Sequence, residues 1–459
     1  MSEIIKKLQS ILANGAVLTG NDVSGRAARI WMQQGIEAKA IVRPSSTAEL
    51  AAVMRLCYEN DQRLVAQGGR TGLTDSHITS RSEIVLSLER MNKVEEIDPN
   101  GRTMTVQAGV PLQIVQQQAE KLGLQFPLDL GARGSCTIGG NAATNAGGNR
   151  VIRYGMARDN ILGLEVVLAD GTVLTSLNKM IKNNAGYDLK HLFIGTEGTL
   201  GVITRLVLRL REAAKSQDTA LVAIDEFAKV IDFLKFIDSN LGGTLSAFEV
   251  MWQEFYQEVT SEPATNKAPL EQDSPYYVLV ESLGADQSAD SERFQNVLLQ
   301  ALQQNLLTDV VVAKSQAEIN AIWAIRDSVG ELHRHAPIFI FDVSLQIKYM
   351  SDYVQQVRHG LDKQWPGNRC FIFGHAGDGN LHYVIAVGDG SVQARRKVEA
   401  CVYGPLEKIN GSVSAEHGIG LEKKSYLSMC RSEAEIATMR LLKKALDPKG
   451  ILNVGKIFD

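Results

Sequence analysis

Two of the eight histidines stand close together in the stretch 371–385, on either side of a turn signal. Apolar runs flank Asp378-Gly379, a dipeptide that favours a two-residue type I′ hairpin turn. Such a turn places His375 directly opposite His382, with Cβ atoms about 4.5–5.5 Å apart. Asn380 lies two residues from His382 and therefore on the same sheet face. The spacing predicts a metal site with two imidazoles and one amide, and the alternative is a hairpin with two incidental histidines.

An acid–base pair, Glu416-His417, follows a short predicted strand and is flanked by Gly418 and Gly420. Glycines here allow close approach of the backbone to a ligand. A carboxylate would complete a two-histidine, one-carboxylate metal site that leaves positions open for substrate, as catalytic sites do. The adjacent imidazole could act as a general base. By itself the dipeptide indicates little, and it points to a site only together with the histidine hairpin.

Forty glycines occur mainly in clusters between apolar runs, which is typical of backbone held close to a ligand. The loop 67–73 could bind phosphate through backbone N–H groups, although an ordinary turn explains it equally well. The run 131–149 is long, small and polar, which suits backbone laid against a large flat cofactor. Arg326 carries a planar guanidinium that suits two-point binding of a carboxylate, with a solvated helix arginine as the alternative.

Apolar periodicity predicts the elements that must position these residues. The first 75 residues indicate a β-α-β unit that ends in the glycine-rich loop. The whole pattern is α+β and differs from a regular Rossmann repeat, because no Gly-x-Gly-x-x-Gly follows a strand with an acidic residue at the usual distance. The polar stretch 212–218 interrupts the apolar pattern. The order β-α-β-β-α-β after it indicates a split antiparallel sheet with helices on one face.

We therefore predict three parts: residues 1–213, residues 214–425 with the antiparallel sheet, and a C-terminal helical segment, 426–459, that returns to the first domain. The sequence shows no internal repeat. A net charge of −4 gives no reason to expect nucleic acid or an anionic membrane as a partner. The sequence contains no uninterrupted apolar run of about 18 residues, so it predicts no transmembrane helix. Five scattered cysteines without a Cys-x-x-Cys pair indicate reduced thiols and a cytoplasmic location.

The motifs occur in an order that resembles a known superfamily. The first half contains Gly68-Gly69-Arg70-Thr71-Gly72-Leu73, the run 131–149, Asn183-Asn184-Ala185-Gly186-Tyr187-Asp188-Leu189 and the glycine-rich stretch 193–201. Together these resemble the two-subdomain FAD-binding domain of the vanillyl-alcohol-oxidase (PCMH) type. The motifs around His375, Glu416 and Asn453 resemble those of its FAD-linked D-lactate and D-2-hydroxyglutarate dehydrogenase branch. The resemblance covers residues 40 to 459.

The resemblance implies a role for each motif residue. It implies non-covalent FAD bound by Gly68, Gly69, Arg70, Thr71, Gly72, Leu73, Gly139, Gly140, Asn141, Thr144, Asn145, Gly148, Glu197, Gly198, Gly201, Ile203 and Asn453. It implies a metal, zinc or else manganese, bound by His375, His382 and Glu416. His417 would be the general base, Arg326 would bind the substrate carboxylate, and Asn380 would contact substrate or the ligand shell. The expected reaction is oxidation of a D-2-hydroxy acid to the 2-oxo acid.

Several departures from the family pattern bear on the substrate. The glycine-rich loop has Arg70 where the family has Asn or Gly. D-2-hydroxyglutarate enzymes carry a lysine just before an Asp-x-Ser-Leu-Pro segment, whereas the stretch 339–346 has neither lysine nor proline. They also have a threonine at the position of Gly330. A second, distal carboxylate would lose these partners, which favours D-lactate or a longer monocarboxylate over 2-hydroxyglutarate, although Lys348 could compensate.

Three other classes of protein remain open from the sequence. One is a non-redox flavoprotein like the alkyl-glycerone-phosphate synthases, another is a zinc hydrolase, and the third is an inactive binding subunit. A dehydrogenase would also need an electron acceptor, for which an electron-transfer flavoprotein, a quinone or a cytochrome are all compatible with the sequence. We further expect a homodimer, as is common in such families.

Overall fold

The computed structural model describes residues 2–29 and 34–459. The chain forms two compact units. Unit 1 consists of Met1–Gly148, Gly155–Ala213 and Glu416–Asp459, and unit 2 consists of Asn149–Tyr154 and Ala214–Ala415. Our predicted divisions follow residues 213 and 425, whereas the chain passes from unit 2 back to unit 1 after residue 415.

The described residues contain the following strands: β1 (Val17–Leu18), β2 (Ala40–Val42), β3 (Leu64–Gln67), β4 (Ile84–Ser87), β5 (Val94–Asp98), β6 (Thr103–Gln107), β7 (Leu124–Gln125), β8 (Ile161–Val167), β9 (Val173–Ser176), β10 (Val202–Arg209), β11 (Arg211–Glu212), β12 (Ser216–Ile224), β13 (Leu245–Trp252), β14 (Tyr276–Gly284), β15 (Asp309–Val312), β16 (Phe339–Ser344), β17 (Arg369–Gly374) and β18 (Asn380–Ala386).

The α-helices of the same part of the chain are α1 (Glu3–Ile11), α2 (Asn21–Ser24), α3 (Thr47–Glu59), α4 (Leu112–Glu120), α5 (Ile138–Thr144), α6 (Val151–Tyr154), α7 (Phe227–Asn240), α8 (Gln253–Thr260), α9 (Gln287–Gln303), α10 (Gln316–Asp327), α11 (Met350–Gln364), α12 (Val392–Glu407), α13 (Leu427–Cys430) and α14 (Glu433–Leu446). Short 3₁₀ turns include Ser328–His335 and Ala376–Asp378.

Unit 1 contains two main sheets, and one large buried apolar cluster includes residues of both. In the first, the order is β1-β2-β4-β3, and β2, β4 and β3 run parallel. Helix α3 supplies the crossover between β2 and β3, and it begins at Ser46, whose side chain accepts a hydrogen bond from the Glu49 N–H. The second sheet is antiparallel, with the order β5-β6-β10-β8-β9. This is the predicted two-subdomain arrangement.

The C-terminal segment of unit 1 closes the free edge of the first sheet beside β3. Leu64 pairs with Leu452 in a parallel bridge, and the Leu64 N–H donates to the Ile451 carbonyl at 2.8 Å. Asn453 then accepts from the Ala66 N–H through its side-chain oxygen at 2.9 Å and donates to the Glu197 carbonyl at 2.6 Å. Residues that are far apart in the sequence therefore complete one sheet edge together.

Unit 2 is built on a seven-stranded antiparallel sheet of order β15-β12-β14-β13-β17-β18-β16. Strand β12 starts at Ser216, inside the polar stretch where we placed the boundary between the first two domains. The polar side chains have partners there: Ser216 donates to Asp290 and Asp218 accepts from Ser291, each at 2.6 Å. The polar side chains of this stretch therefore serve to form hydrogen bonds with α9, and they do not interrupt the strand.

The sheet of unit 2 consists of two similar halves joined edge to edge. The first half follows the predicted β-α-β-β-α-β order through β12, α7, β13, β14, α9 and β15. The second runs through β16, α11, β17, β18 and α12, and a single bridge of Ser412 to Ser344 stands in the place of its fourth strand. Strands β13 and β17 form the seam through two residue pairs. The repeat is therefore structural, although the sequence shows none.

Helices cover both faces of this sheet, whereas we predicted them on one face. The pairs Phe233–Phe248 and Tyr353–Tyr383 show α7 and α11 packed on one side. On the opposite side, α8 and α10 pack against β13, β14, β17 and β18 through the buried cluster Met251, Phe255, Tyr256, Tyr277, Leu279, Ile322, Ile325, Phe371, Phe373 and Val384. His382 and Arg326 belong to this second side.

Candidate functional site

The hairpin that carries the two histidines has a different register from the one that we predicted. Phe373, and not His375, lies opposite His382, because β17 ends at Gly374 and a longer connection follows. The connection is a 3₁₀ turn in which only Gly379 has a positive φ, of 91°, so the Asp-Gly dipeptide does not form a type I′ turn. The predicted cross-strand pairing of the histidines is therefore wrong.

The imidazoles nevertheless meet, because the turn folds His375 back over the sheet. The carbonyl of His375 accepts hydrogen bonds from the N–H groups of Asp378 at 3.1 Å and Asn380 at 3.2 Å. The ring centroids of His375 and His382 are 5.2 Å apart and nearly perpendicular. One ring nitrogen of each residue lies within 4.8 Å of one of the other. The pair can therefore bind one ion between them.

A buried carboxylate that the sequence analysis missed, Glu249 of β13, holds both His375 and Arg326. Its Oε1 lies 2.5 Å from His375 Nδ1, and its Oε2 accepts from Arg326 Nε at 2.7 Å. Burial alone would raise the pKa of this carboxyl, but the neighbouring His375 and Arg326 outweigh burial and lower the pKa to about 2. No spacing signal marks this residue, since it stands 126 positions from His375 in the sequence.

The same contacts fix which nitrogen of His375 carries the proton. Arg326 has only donors, and its Nη2 lies 3.4 Å from His375 Nε2, so this ring nitrogen is the acceptor. Nδ1 therefore carries the hydrogen and donates it to Glu249. The Nε2 lone pair is thus directed toward Arg326 and away from the buried carboxylate. Arg326 itself is 6% exposed and lies over the Phe373 ring at 5.1 Å.

The side chain of Asn380 gives a second indication that the histidine pair faces a ligand. The residue is 4% exposed, and neither atom of its amide has a hydrogen-bond partner within the part of the chain that the structure describes. Buried polar groups almost always have partners, so this amide is suited to a bound molecule or ion. Two close imidazoles and an amide are ligands that zinc and manganese accept. The residues present in unit 2 therefore fit the metal that the family resemblance implies.

Unit 1 contains a cavity of about 340 Å³ beside the glycine-rich loop. The predicted cofactor residues that line it are Gly68, Gly69, Arg70, Thr71, Gly72, Leu73, Gly139, Gly140, Asn141, Thr144, Glu197, Gly198, Gly201, Ile203 and Asn453. The backbone packs tightly here: a Cβ on Gly69 would lie 2.0 Å from the Ser135 carbonyl oxygen. The buried amide nitrogen of Asn141 lacks a partner among the described residues. A glycine-walled cavity with an unsatisfied donor fits FAD.

Asn145 and Gly148, also predicted to bind the cofactor, are not among the described residues that line the cavity. Asn145 has a left-handed φ of 51° at the end of α5, and its side chain accepts from the Arg158 N–H at 3.0 Å. Gly148 has a φ of 114°, and a Cβ there would lie 1.9 Å from the Asp129 carbonyl oxygen. Both residues shape the chain around the cavity.

Glu416 and His417 also line the cavity of unit 1. Glu416 accepts a short hydrogen bond from the Gly148 N–H, and the His417 carbonyl accepts from Thr74 at 3.2 Å. The Glu197 carboxylate accepts from the N–H groups of Ile419 at 2.7 Å and Gly420 at 2.9 Å, and burial raises its pKa. The acid–base pair is thereby held at the wall of the predicted flavin cavity.

Two further cavity residues differ from expectation. Arg70, which replaces the family's Asn or Gly, has a left-handed φ of 57° and donates to the Ala27 carbonyl at 2.5 Å. His77, which the sequence analysis missed, lines the same cavity and is 6% exposed. Burial and the nearby cations Arg29, Lys456 and Arg70 lower the pKa of His77 to about 4. This imidazole is therefore neutral at physiological pH.

Known proteins show the same domains and fold. Residues 38–176 match a family described as "FAD binding domain", and residues 213–457 match "FAD linked oxidases, C-terminal domain". A D-2-hydroxyglutarate dehydrogenase of Xanthomonas citri pv. viticola is 39% identical over 427 residues, which cover 92% of this chain and 89% of that protein. A Schizosaccharomyces pombe protein named as a mitochondrial D-lactate dehydrogenase is 34% identical over 466 residues, covering 98% of this chain and 88% of its own.

Among solved structures, p-cresol methylhydroxylase with substrate bound superimposes with a TM-score of 0.78 at 15% identity, covering 100% of this chain and 96% of that chain. This likeness shows a shared fold, and the match to the FAD-binding family shows that the chain is a flavoprotein. Together with the relatives, the two family matches show that the chain belongs to the FAD-linked D-2-hydroxy-acid dehydrogenases of the vanillyl-alcohol-oxidase superfamily. It is thus an FAD-dependent oxidoreductase, as predicted. Within residues 2–29 and 34–459, no helix is long and apolar enough to cross a membrane.

Proposed function

We propose that the protein oxidises a D-2-hydroxy monocarboxylate, such as D-lactate or a longer acid, to the 2-oxo acid, with non-covalent FAD and a divalent metal. The family supports the reaction class and FAD. The observation that carries the finer proposal is the buried group of His375, His382 and Asn380, whose amide has no partner among the described residues. Such a group is suited to a metal ion and a polar substrate together.

We assign the metal to His375, His382 and Glu416, with zinc preferred and manganese as the alternative. Glu416 follows directly after Ala415, the last residue of unit 2. The Ala415 N–H donates at 2.9 Å to Asp342, and Asp342 is the cross-strand partner of His382. Chain connectivity therefore supports a glutamate ligand near the histidine pair.

The reaction removes a hydride from C2 and a proton from the C2 hydroxyl, which leaves the carbonyl of the 2-oxo acid. When bound, FAD supplies the hydride acceptor and the metal supplies positive charge that lowers the pKa of the hydroxyl. Arg326 binds the α-carboxylate and so orients C2. A ring nitrogen of His417 takes the hydroxyl proton as the general base. Asn380 contacts the bound substrate or the ligand shell through its amide.

The preference for a monocarboxylate is supported by residues on the same sheet face as His382. Ile340 of β16 lies two positions from Asp342, so its side chain points to this face, and it is 39% exposed. An apolar side chain there cannot pair with a distal carboxylate. Gly330, at the family's threonine position, adds no hydroxyl. Lys348, the candidate for compensation, is exposed and lies 4.7 Å from the ring centroid of Tyr349.

A second candidate is D-2-hydroxyglutarate, which relatives at 39% identity act on according to their names. An anaerobic absorbance titration with D- and L-lactate, longer D-2-hydroxy acids and D-2-hydroxyglutarate distinguishes the candidates. We expect a D-monocarboxylate to bleach the flavin band, and a chelator to abolish bleaching. A strong preference for the dicarboxylate would replace our proposal with the second candidate. Bleaching that resists complete metal removal would refute the metal-assisted mechanism.

A gain-of-function variant tests the substrate determinant directly. Ile340→Lys combined with Gly330→Thr adds a cation and a hydroxyl, so we expect kcat/KM for D-2-hydroxyglutarate to rise by about tenfold or more while that for the monocarboxylate falls. Ile340→Leu is the matched control, since it keeps an apolar side chain and should leave the ratio unchanged. Unchanged selectivity in the double variant would show that other residues choose the substrate.

Re-oxidation of the reduced flavin in this scheme uses an electron-transfer flavoprotein, a quinone or a cytochrome.

A further inference from the structure

Glu249 is the buried carboxylate on which two predicted functions of unit 2 converge. It is 0% exposed and lies on β13, one strand away from the hairpin that carries the histidines. One carboxylate oxygen contacts His375 and the other contacts Arg326, at 2.5 Å and 2.7 Å. The two partner residues lie on separate elements, since Arg326 is in α10 and His375 follows β17. A single side chain thus links a proposed metal ligand to the proposed substrate arginine.

We propose that Glu249 is a positioning residue that directs His375 Nε2 to the metal and sets the orientation of the Arg326 guanidinium. The inference rests on the proposed function of these two residues. For His375, the carboxylate accepts the Nδ1 hydrogen and so keeps the tautomer whose Nε2 can bind a cation. For Arg326, the bond at Nε fixes the guanidinium plane, which determines where the substrate carboxylate is bound. Glu249 itself contacts neither substrate nor metal in this scheme.

Glutamine at this position cannot satisfy both partners. Its amide has one acceptor and one donor group, whereas His375 Nδ1–H and Arg326 Nε–H are both donors. If the amide oxygen stays with Arg326, its NH₂ faces Nδ1 and favours the opposite tautomer, which removes the lone pair from Nε2. If the oxygen stays with His375, the amide NH₂ opposes Arg326 Nε and displaces the guanidinium. Either arrangement disturbs one of the two proposed functions.

The chain offers a matched control in Glu258 of α8. This carboxylate also bridges an arginine and a histidine, Arg334 and His335, with 2.5 Å between Oε1 and His335 Nε2. Neither Arg334 nor His335 is one of the proposed metal ligands. Glu258→Gln therefore reproduces the loss of a carboxylate from an Arg–His bridge away from the site.

The test compares the holoenzyme with its Glu249→Gln, Glu249→Asp and Glu258→Gln variants. The readouts are zinc stoichiometry and affinity by chelator competition, flavin content, and kcat and KM for the best 2-hydroxy acid. We expect Glu249→Gln to keep its flavin, to bind zinc about 10–100-fold more weakly and to raise KM. Glu249→Asp keeps the charge with a shorter reach and should recover part of both losses. Glu258→Gln should match the wild type.

A lone buried arginine could prevent Glu249→Gln from folding, so a second variant removes both charges. Glu249→Gln with Arg326→Gln leaves no unpaired cation, and its zinc affinity reports on His375 alone. Weaker zinc binding in this double variant supports the inference. Wild-type zinc affinity and wild-type KM in the Glu249 variants would overturn it.

Failure of the proposed metal site gives a separate result. If the wild-type protein binds no zinc or manganese, the metal part of the proposed function fails, and ¹⁵N NMR of the His375 ring then decides the inference. Loss of the Nδ1–H tautomer in Glu249→Gln supports the positioning role, and an unchanged ring spectrum contradicts it.

Discussion

At the scale of single residues, hydrogen-bond partners distinguish the groups that hold the fold from those suited to a ligand. Glu249 and Asn453 have two protein partners each, and both join distant parts of their unit. Asn380 is equally buried, yet its amide has none among the described residues. An unsatisfied buried amide weakens the folded state unless a ligand compensates it.

Replacing Asn380 with leucine should therefore separate stability from function. We expect the melting temperature of the metal-free protein to stay within a few degrees or to rise, because an apolar group of similar size loses no protein hydrogen bond. KM for the 2-hydroxy acid should rise about tenfold or more. Thermal denaturation and steady-state kinetics measure the two effects.

Asn453→Leu provides the contrasting case, because it leaves the Ala66 N–H and the Glu197 carbonyl without their side-chain partner. A loss of about 2 kcal/mol or more in unfolding free energy is expected there. If Asn380→Leu lost as much stability as Asn453→Leu, the Asn380 amide would have to serve the protein and not a ligand.

His77 supplies a pH dependence at the same scale. Its pKa in the folded protein is about 4 against an ordinary value of 6.5, so the unfolded chain takes up a proton between these values and the folded chain does not. Stability contributed by neutral His77 is therefore complete above pH 6.5 and is lost as pH falls toward 4. Between pH 7 and pH 5 the loss amounts to about 2 kcal/mol.

Denaturation in urea at pH 7 and pH 5 measures this loss. His77→Gln should lose about 2 kcal/mol less than the wild type between the two pH values. His359→Gln, at an exposed position of α11, is the control and should follow the wild type. Equal pH dependence in His77→Gln and the wild type would show that other groups cause the acid sensitivity.

At the scale of elements, the sequence predicted that a histidine hairpin exists but not its register. The apolar runs around Asp378-Gly379 correctly indicated two paired strands. The turn type could not be predicted, because Asp-Gly suits both a type I′ turn and a 3₁₀ turn with glycine at its left-handed end. Glu249 escaped prediction for a related reason, since its contacts arise only when β13 pairs with β17. The spacing of residues along the sequence can indicate which side chains meet within one hairpin. It cannot indicate which side chains meet where the two halves of a sheet join.

Gly374, at the end of β17, makes the close approach of the hairpin strands possible. Its φ is 151°, and a Cβ there would lie 2.7 Å from the Asn380 carbonyl oxygen and 3.1 Å from the Leu381 Cα. Gly374→Ala must therefore move the hairpin backbone, and we expect a loss of about 2 kcal/mol in stability together with weaker zinc binding. Urea denaturation and chelator competition measure the two effects.

Gly330→Ala is the matched control, because its φ is not positive and no atom lies within 4 Å of the added Cβ. It should be neutral or slightly stabilising. A Gly374→Ala protein with wild-type stability and zinc affinity would show that the hairpin tolerates the shift.

At the scale of the whole molecule, each unit is assembled from separate stretches of the chain. Unit 2 takes the short segment Asn149–Tyr154 from the middle of unit 1, and Arg150 of that segment donates to the buried Glu281 at 3.0 Å. Unit 1 takes its final stretch from beyond residue 415. The sequence analysis predicted that a C-terminal segment returns to the first domain, but composition shifts along a sequence cannot reveal a short exchanged segment such as Asn149–Tyr154.

A stop codon after Leu446 tests the role of the returning segment. The truncated chain lacks Leu452 and Asn453, so the edge of β3 loses its partner and the cavity loses one wall residue. We expect a flavin-to-protein ratio well below that of the full chain, measured by absorbance after gel filtration. Lys449→Ala, a partly exposed position in the same segment, should keep full flavin. Full flavin occupancy in the truncated protein would rule out this role.

The bond between the Ala66 N–H and Asn453 has a consequence for biosynthesis. Its two residues are 387 positions apart, so the ribosome works for roughly 20–80 s between making one and making the other. During that time β3 leaves the exit tunnel with one edge unpaired, while the whole of unit 2 is synthesised. A nascent chain of this protein therefore exposes the unpaired edge of β3 until its synthesis is nearly complete.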